Sequence, residues 1–171
     1  SSFMSVGWGQ DTTPPELINF SFTPNEVDVS NNEEDIIFSY TIIDDISGLN
    51  NLNIQLRSPS GINMENNSNY YGGELEIEDQ LILTIDQYVE PGIWTINYVQ
   101  IYDQLLNLTN LSQTDLNDLG IETEINIINN PSLCDEEIEV ELWGECYNIE
   151  ETTELDLSGN SSNGWDGGLT G

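Results

Sequence analysis

Histidine, lysine and alanine do not occur in this sequence of 171 residues, and arginine occurs once, as Arg57. Without histidine, the chain by itself cannot assemble a Ser-His-Asp or Cys-His catalytic site, nor a zinc site with histidine ligands. Without lysine, it cannot form the Schiff base that lysine-dependent covalent catalysis requires. Several large classes of enzyme are therefore excluded by composition.

The single basic residue stands against 32 acidic residues, which gives a formal net charge of −31. Nucleic-acid binding requires clustered Lys and Arg, and anionic membrane surfaces attract the same residues, so the composition argues against both partners. Such a charge repels itself unless salt or divalent cations are present, which favours a saline or calcium-rich exterior. An acidic surface that merely keeps the protein in solution remains an open alternative to specific calcium sites.

Long apolar runs are also missing, and cysteine is scarce. No apolar stretch approaches the roughly 18 residues of a membrane-spanning helix, so we expect no membrane insertion. The two cysteines, Cys134 and Cys146, lie close together in a chain of extracellular character, which favours a disulfide. A two-cysteine metal site is the alternative, and the lack of other soft ligands disfavours it.

Short apolar segments with a period of two fill residues 11–129, with Gly, Pro, Asn and Asp between them. This pattern predicts an all-β fold, an antiparallel β-sandwich. One helical turn is expected within 111–119, capped by Ser112 or Thr114. The clearest alternating sets are Ile18/Phe20/Phe22, Ile36/Phe38/Tyr40/Ile42, Leu52/Ile54/Leu56 and Trp94/Ile96/Tyr98.

The rest of the chain differs in character from the sandwich. Residues 1–10 have no clear periodicity and are interpreted as a linker or a donor strand. The Asn-rich stretch 61–73 is expected to form an extended hairpin or an edge excursion. Residues 130–133, which contain Pro131, are the expected linker. A small disulfide-capped C-terminal segment is expected over 134–171.

The C-terminal segment carries a cysteine pair around Trp143-Gly144, then Leu155-Asp156-Leu157-Ser158, then Leu169-Thr170-Gly171. This order resembles the N-terminal cap and first turn of a leucine-rich-repeat array, with an insert at 161–167. The resemblance implies further repeats, because one repeat cannot bury its own apolar face. A small disulfide-pinned subdomain with an acidic tail is the alternative.

Residues 11–129 resemble the immunoglobulin-like modules of bacterial surface and secreted proteins. The resemblance implies an immunoglobulin-like sandwich with strand B at 36–43 and strand F at 94–101. A glycine often precedes the asparagine of the last motif in such modules, and Leu106 occupies that position here. The motifs that carry the resemblance are Asp11-Thr12-Thr13-Pro14-Pro15, Asp44-Asp45-Ile46-Ser47-Gly48, Ser58-Pro59-Ser60-Gly61, Pro91-Gly92-Ile93-Trp94 and Tyr102-Asp103 with Asn107.

In that fold the chain entry, the B–C loop and the F–G loop share one pole. Asp11, Asp44, Asp45, Asp103 and Asn107 would then converge there. Crowded carboxylates repel unless a cation lies among them, and oxygen ligands are those that Ca²⁺ takes. The sequence thus predicts a calcium site at this pole. The alternative is that Asp and Asn are simply good turn formers.

Two further kinds of site are compatible with the sequence. Tyr70 and Tyr71 are the best candidates for a ligand-facing aromatic pair that stacks on sugar rings, with packing at a strand edge as the alternative. Paired carboxylates could hydrolyse glycosides. With 32 acidic residues, however, some pair falls at any spacing, so spacing carries no information and no enzyme activity is expected.

The leading hypothesis is a non-catalytic extracellular adhesion, binding or spacer module of a cell-surface protein, with a protein or glycan at the cell surface as partner. The first alternative is a structural subunit of an extracellular filament. There, a strand such as Ser2–Gly9 would pair with the sheet edge of a neighbouring copy. The second alternative is a carbohydrate-binding accessory module of a secreted polysaccharide-degrading enzyme.

Overall fold

The computed structural model describes residues 10–130 and two short strands at 139–142 and 145–148. The chain divides into two compact units, Ser1–Pro131 and Ser132–Gly171. Within its described residues, the first unit contains nine strands and helix α1 (Gln113–Asp118), which lies between β8 and β9. The strands are β1 (Glu16–Thr23), β2 (Glu26–Asp28), β3 (Glu34–Ile43), β4 (Leu49–Arg57), β5 (Asn63–Asn69), β6 (Glu76–Ile85), β7 (Gly92–Asp103), β8 (Leu108–Ser112) and β9 (Glu124–Ile128).

Two sheets pack against each other in this unit. The smaller has the order β1-β3-β6, and the larger has the order β2-β9-β7-β4-β5, with β8 also paired to β7. The pairs are antiparallel except β2 with β9. The predicted all-β sandwich is therefore confirmed.

The core lies between the two sheets and follows the alternation of the sequence. The alternating residues Ile37, Ser39 and Thr41 of β3 are only partly buried, whereas Ile36, Phe38 and Ile42 are fully buried. Burying each such side chain contributes about 1.5–3 kcal/mol. Trp94 is also buried, and its indole Nε1 donates to the carbonyl of Glu90 at 2.8 Å, which satisfies its one polar group.

Two β-bulges shift the phase of the predicted alternation. In β7, the register slips opposite Gln55 and Leu56, so that Trp94 and Ile96 face the core while Tyr98 faces outward. Val99 and Ile101 take over the buried positions. In β1 the slip lies between Leu17 and Asn19, and Ile18 is 53% exposed although the alternation groups it with Phe20 and Phe22. A bulge adds one residue and thereby exchanges the two faces of the strand beyond it.

Helix α1 begins with a capping box. Ser112 Oγ accepts a hydrogen bond from the Asp115 N–H at 3.3 Å, and Asp115 Oδ2 accepts one from the Ser112 N–H at 2.8 Å. Leu116 packs its side chain into the core. The predicted helical turn within 111–119, with Ser112 as its cap, is confirmed. The predicted excursion at 61–73 contains β5, which is an edge strand of the larger sheet.

The second unit contains an antiparallel hairpin of β10 (Glu139–Leu142) and β11 (Glu145–Asn148). Cys134, and with it the predicted disulfide to Cys146, lies outside the described residues. Most of the predicted leucine-rich-repeat cap at 134–171 and residues 1–9 of the predicted linker or donor segment at 1–10 do so as well. None of the helices in the described part of the chain has the length and apolar character needed to cross a membrane.

Candidate metal centre

Three carboxylates meet where the chain enters the sandwich. Asp11 precedes β1, and Asp44 and Asp45 directly follow β3. Because β1 and β3 are antiparallel, with Glu16 opposite Ile43, the start of β1 lies beside the end of β3. One oxygen from each of the three carboxylates lies within 4.8 Å of the other two. The structure therefore brings together three of the five residues predicted for the calcium site.

Asp44 is buried and is held by backbone N–H groups of the loop that follows β3. Its side chain is 8% exposed, and Oδ2 accepts hydrogen bonds from the backbone N–H groups of Gly48 at 2.6 Å and Ile46 at 3.3 Å. Oδ1 is also buried, yet within residues 10–130 no donor reaches it. A buried polar atom without a partner costs about 1–3 kcal/mol. This oxygen therefore needs a partner of another kind, and a cation is one.

Asp11 ties the entry segment to the loop between β3 and β4. Its side chain is 4% exposed. Oδ1 accepts from the N–H of Thr13 at 3.0 Å, and Oδ2 accepts from the N–H of Ser47 at 3.0 Å. These hydrogen bonds, first from Thr13 and then from Ser47, hold the pKa of Asp11 below its usual value. Asp11 thus stays ionised and available to a cation at neutral pH. Asp45, the third carboxylate, is exposed.

The loop between β3 and β4 can reach this geometry because Gly48 lacks a side chain. Gly48 has φ +82°, and a Cβ there would lie 2.3 Å from the backbone of Gly73. Only glycine allows both this backbone conformation and this close approach. The tight turn aims the Gly48 N–H at Asp44, while the Gly48 carbonyl accepts from the N–H of Gln104 at 2.8 Å.

Asp103 and Asn107 support the same pole from the loop between β7 and β8. Asp103 is fully buried, and its two oxygens accept from the Asn107 N–H at 2.7 Å and from Asn107 Nδ2 at 2.5 Å. Asn107 Nδ2 also donates to the backbone carbonyl of Asp11 at 3.2 Å. Asp103 is not one of the three clustered carboxylates. Leu106 adopts φ +68°, the left-handed conformation for which glycine is suited.

The arrangement can hold a metal ion. Three carboxylates this close repel one another unless a positive charge lies between them. A hard divalent cation is bound by carboxylate, carbonyl and water oxygens, which matches this donor set. Such an ion would also supply the missing partner of Asp44 Oδ1. Ser47 and Gly48, which hold Asp11 and Asp44 through their N–H groups, were not predicted as site residues, because backbone donors leave no signature in residue type.

The predicted ligand-facing tyrosines lie in two different environments. Tyr71 is 87% exposed in the loop after β5. Tyr70 is partly buried, and its hydroxyl lies 2.5 Å from that of the buried Tyr40 and 3.3 Å from Asp79 Oδ2. Burial, the hydrogen bond with Tyr40 and the nearby Asp79 charge raise the pKa of Tyr70. Tyr70 therefore links the two sheets.

The comparisons with known proteins add no family. Neither the family models nor the curated proteins contain a match to this chain.

Proposed function

We propose that this chain is a non-catalytic extracellular adhesion, binding or spacer module of a cell-surface protein, with Ca²⁺ bound by Asp11, Asp44 and Asp45 at its entry pole. The observation that carries the proposal is the Asp44 carboxylate, which clusters with those of Asp11 and Asp45 and whose buried Oδ1 has no partner among the described residues. The absence of histidine and lysine supports a role other than catalysis.

Calcium suits this site better than magnesium. Ca²⁺ accepts six to eight oxygens in flexible geometry, whereas Mg²⁺ demands a near-ideal octahedron and releases its water reluctantly. Asp45 is exposed, so water can complete the coordination on that side. Extracellular calcium modules typically bind with dissociation constants of about 10⁻⁴–10⁻³ M. The net charge of −31 favours this further, because it concentrates cations at the surface.

The ion would act as a clamp on three segments. Asp11 belongs to the entry segment and Asp44 to the loop between β3 and β4. Asn107, which donates to the Asp11 carbonyl, joins the loop between β7 and β8 to them. The direction in which the chain enters the sandwich at Asp11 would then be fixed. That property suits a module that spaces or presents other parts of a surface protein.

Thermal unfolding in calcium tests this proposal. Chelator-treated protein should melt at a distinctly higher temperature in millimolar CaCl₂ than in NaCl of equal ionic strength. NaCl screens the acidic surface but provides no divalent cation for Asp44 to bind. The difference in melting temperature between the two salts therefore reports specific binding of calcium. Equal melting temperatures in the two salts would overturn the calcium proposal.

A second candidate function, a subunit of an extracellular filament, is favoured by the edge of the smaller sheet. Among the described strands, β1 pairs with β3 on one side and with none on the other. A groove of about 480 Å³ runs beside it, between β1 and residues 119–122, with Ile18 53% exposed and Leu119 61% exposed. An uncharged segment such as Ser2–Gly9 of a neighbouring copy could add a strand there.

Sedimentation analysis tests this second candidate. The full chain should form assemblies that disappear when residues 1–9 are deleted. A single monomeric species across the accessible concentration range would overturn the filament candidate and would leave the calcium proposal untouched.

A further inference from the structure

The outward surface of the larger sheet carries amides and tyrosines. In β4, Leu52 and Ile54 are buried, so Asn53 and Gln55 point outward. The same alternation, combined with the strand register, places outward residues of β5, β4, β7 and β8 in three rows that cross the strands. We call these three rows the amide face.

The middle row consists of amides across four strands. Asn67 of β5 lies opposite Asn53 of β4, which lies opposite Gln100 of β7, which lies opposite Asn110 of β8. Each amide offers both donors and an acceptor. Asn67 and Asn110 are exposed at the two ends of the row, whereas Asn53 is half-buried and its Oδ1 is shielded from solvent. The row therefore offers hydrogen-bonding groups to a ligand mainly at its exposed ends.

A tyrosine lies in each flanking row. Tyr98 accepts a hydrogen bond from Gln55 Nε2 at 3.0 Å and donates one to Glu65 Oε2 at 3.1 Å. Because Gln55 belongs to β4 and Glu65 to β5, the Tyr98 side chain leans across β4 and is held there. In the other row, Tyr102 lies opposite Asn51, whose Nδ2 donates to Asn69 Oδ1 at 2.9 Å. These contacts already fix the side chains of Tyr98 and Asn51, so a ligand that binds there loses less side-chain conformational entropy.

The amide face differs from the rest of the molecule in carrying little negative charge. Glu65 is the one carboxylate in its three rows, although the chain carries 32 acidic residues. The outward surface of the smaller sheet, by contrast, carries Asp35, Glu76 and Glu78. Apart from Leu108 at one end, the amide face has no large aliphatic residue. Stable protein interfaces have an apolar core, so this surface is poorly suited to a protein partner.

We propose that the amide face binds an uncharged glycan chain. Amides pair with sugar hydroxyls, which are likewise both donors and acceptors, and tyrosine rings provide flat surfaces for the C–H faces of sugars. Tyr98 and Tyr102 are four residues apart on one strand, or about 13 Å, a span that an extended chain of several sugar rings bridges. The net charge of −31 repels acidic polysaccharides and so selects neutral ones. This site goes beyond the calcium-clamped module and does not depend on the metal.

Affinity electrophoresis in native gels tests the site. The calcium-saturated full chain is run in gels that contain hydroxyethylcellulose, laminarin or galactomannan as uncharged polymers, and alginate as a polyuronate. At least one uncharged polymer should slow the protein, and alginate should not. The glycan proposal is overturned if none of the three uncharged polymers slows the protein, or if alginate slows it equally.

Substitutions in the amide face test whether glycan binds there. Tyr98→Ala and Tyr102→Ala should each weaken retardation roughly tenfold, whereas Tyr88→Ala, which removes an 84% exposed tyrosine from a distant loop, should not. If Tyr98→Ala fails to fold by thermal melting, Gln100→Ala in the middle row makes the same test. Retardation unchanged in these variants refutes the site. Asp44→Asn should bind glycan as the parent does, because the amide face does not depend on the metal. The glycan proposal and the calcium proposal can therefore fail independently of each other.

Discussion

Replacing Asp44 with Asn should change the stability of the sandwich in opposite directions with and without calcium. Asn keeps an acceptor for the N–H groups of Gly48 and Ile46. It also removes one of three crowded charges and replaces the unpartnered Oδ1 with an amide that can donate. An unpartnered buried oxygen costs about 1–3 kcal/mol. Without calcium, Asp44→Asn should therefore be more stable than the parent by about 1–2 kcal/mol.

Calcium should reverse this order. Binding stabilises the parent by RT ln(1 + [Ca²⁺]/Kd), about 2.7 kcal/mol at 100 times Kd. For a domain of this size, 1 kcal/mol shifts Tm by roughly 3–5 °C, so the parent should gain about 10 °C. Asp44→Asn loses the central charged ligand and should gain little. The variant should then melt below the parent.

Circular-dichroism melts in chelator and in saturating CaCl₂ measure both effects. Glu34→Gln is the matched control, since it removes one exposed carboxylate from the end of β3 that lies farthest from Asp44, opposite Ile85. It should respond to calcium as the parent does. If Asp44→Asn is less stable than the parent in chelator and still gains the full calcium shift, the reasoning about Asp44 is wrong.

Three further predictions concern the same pole. Gly48→Ala should lower the free energy of unfolding in urea by about 2–4 kcal/mol, because the added Cβ would clash with the backbone of Gly73. Gly120→Ala is the control: Gly120 has φ +76° and open space around it, so this change should cost only about 1 kcal/mol. Leu106→Gly should raise the free energy of unfolding by about 0.5–1 kcal/mol in the same assay, since φ +68° strains leucine; a loss of stability would contradict this. The pKa of Asp11 lies below its usual 3.8, so its carboxylate stabilises the fold above that pH and the contribution disappears as pH falls through the folded pKa. In calcium-free urea titrations, the parent should therefore lose stability more steeply below about pH 4 than Asp11→Asn does; parallel pH profiles would contradict this.

The strands were predictable from the sequence because alternation is a local property. Ile36 to Ile42 specify β3 without reference to the rest of the chain. The bulges were not predictable, because an extra residue is recognised only against the register of the partner strand. Tyr98 shows the consequence: its position in the sequence pattern groups it with core residues, whereas the register places it on the outer surface.

The candidate site was predictable to the extent that topology determines it. Asp11, Asp44 and Asp45 were expected at one pole, and the antiparallel pairing of β1 and β3 brings them together. The sequence left open whether Asp103 and Asn107 are metal ligands or turn formers, because their hydrogen bonds to each other depend on side-chain contacts within one turn. The missing partner of Asp44 Oδ1 could not be predicted from the sequence either, because packing determines whether a single atom is buried.

Amide chemical shifts during a calcium titration test the central claim most directly. The N–H groups of Thr13, Ser47, Ile46 and Gly48 all donate to Asp11 or Asp44, so they report on ion binding to those carboxylates. Their resonances should move together and saturate in the millimolar range, while those of distant acidic strands hardly change. Small, unsaturated shifts spread over the acidic surface would contradict a calcium site at this pole.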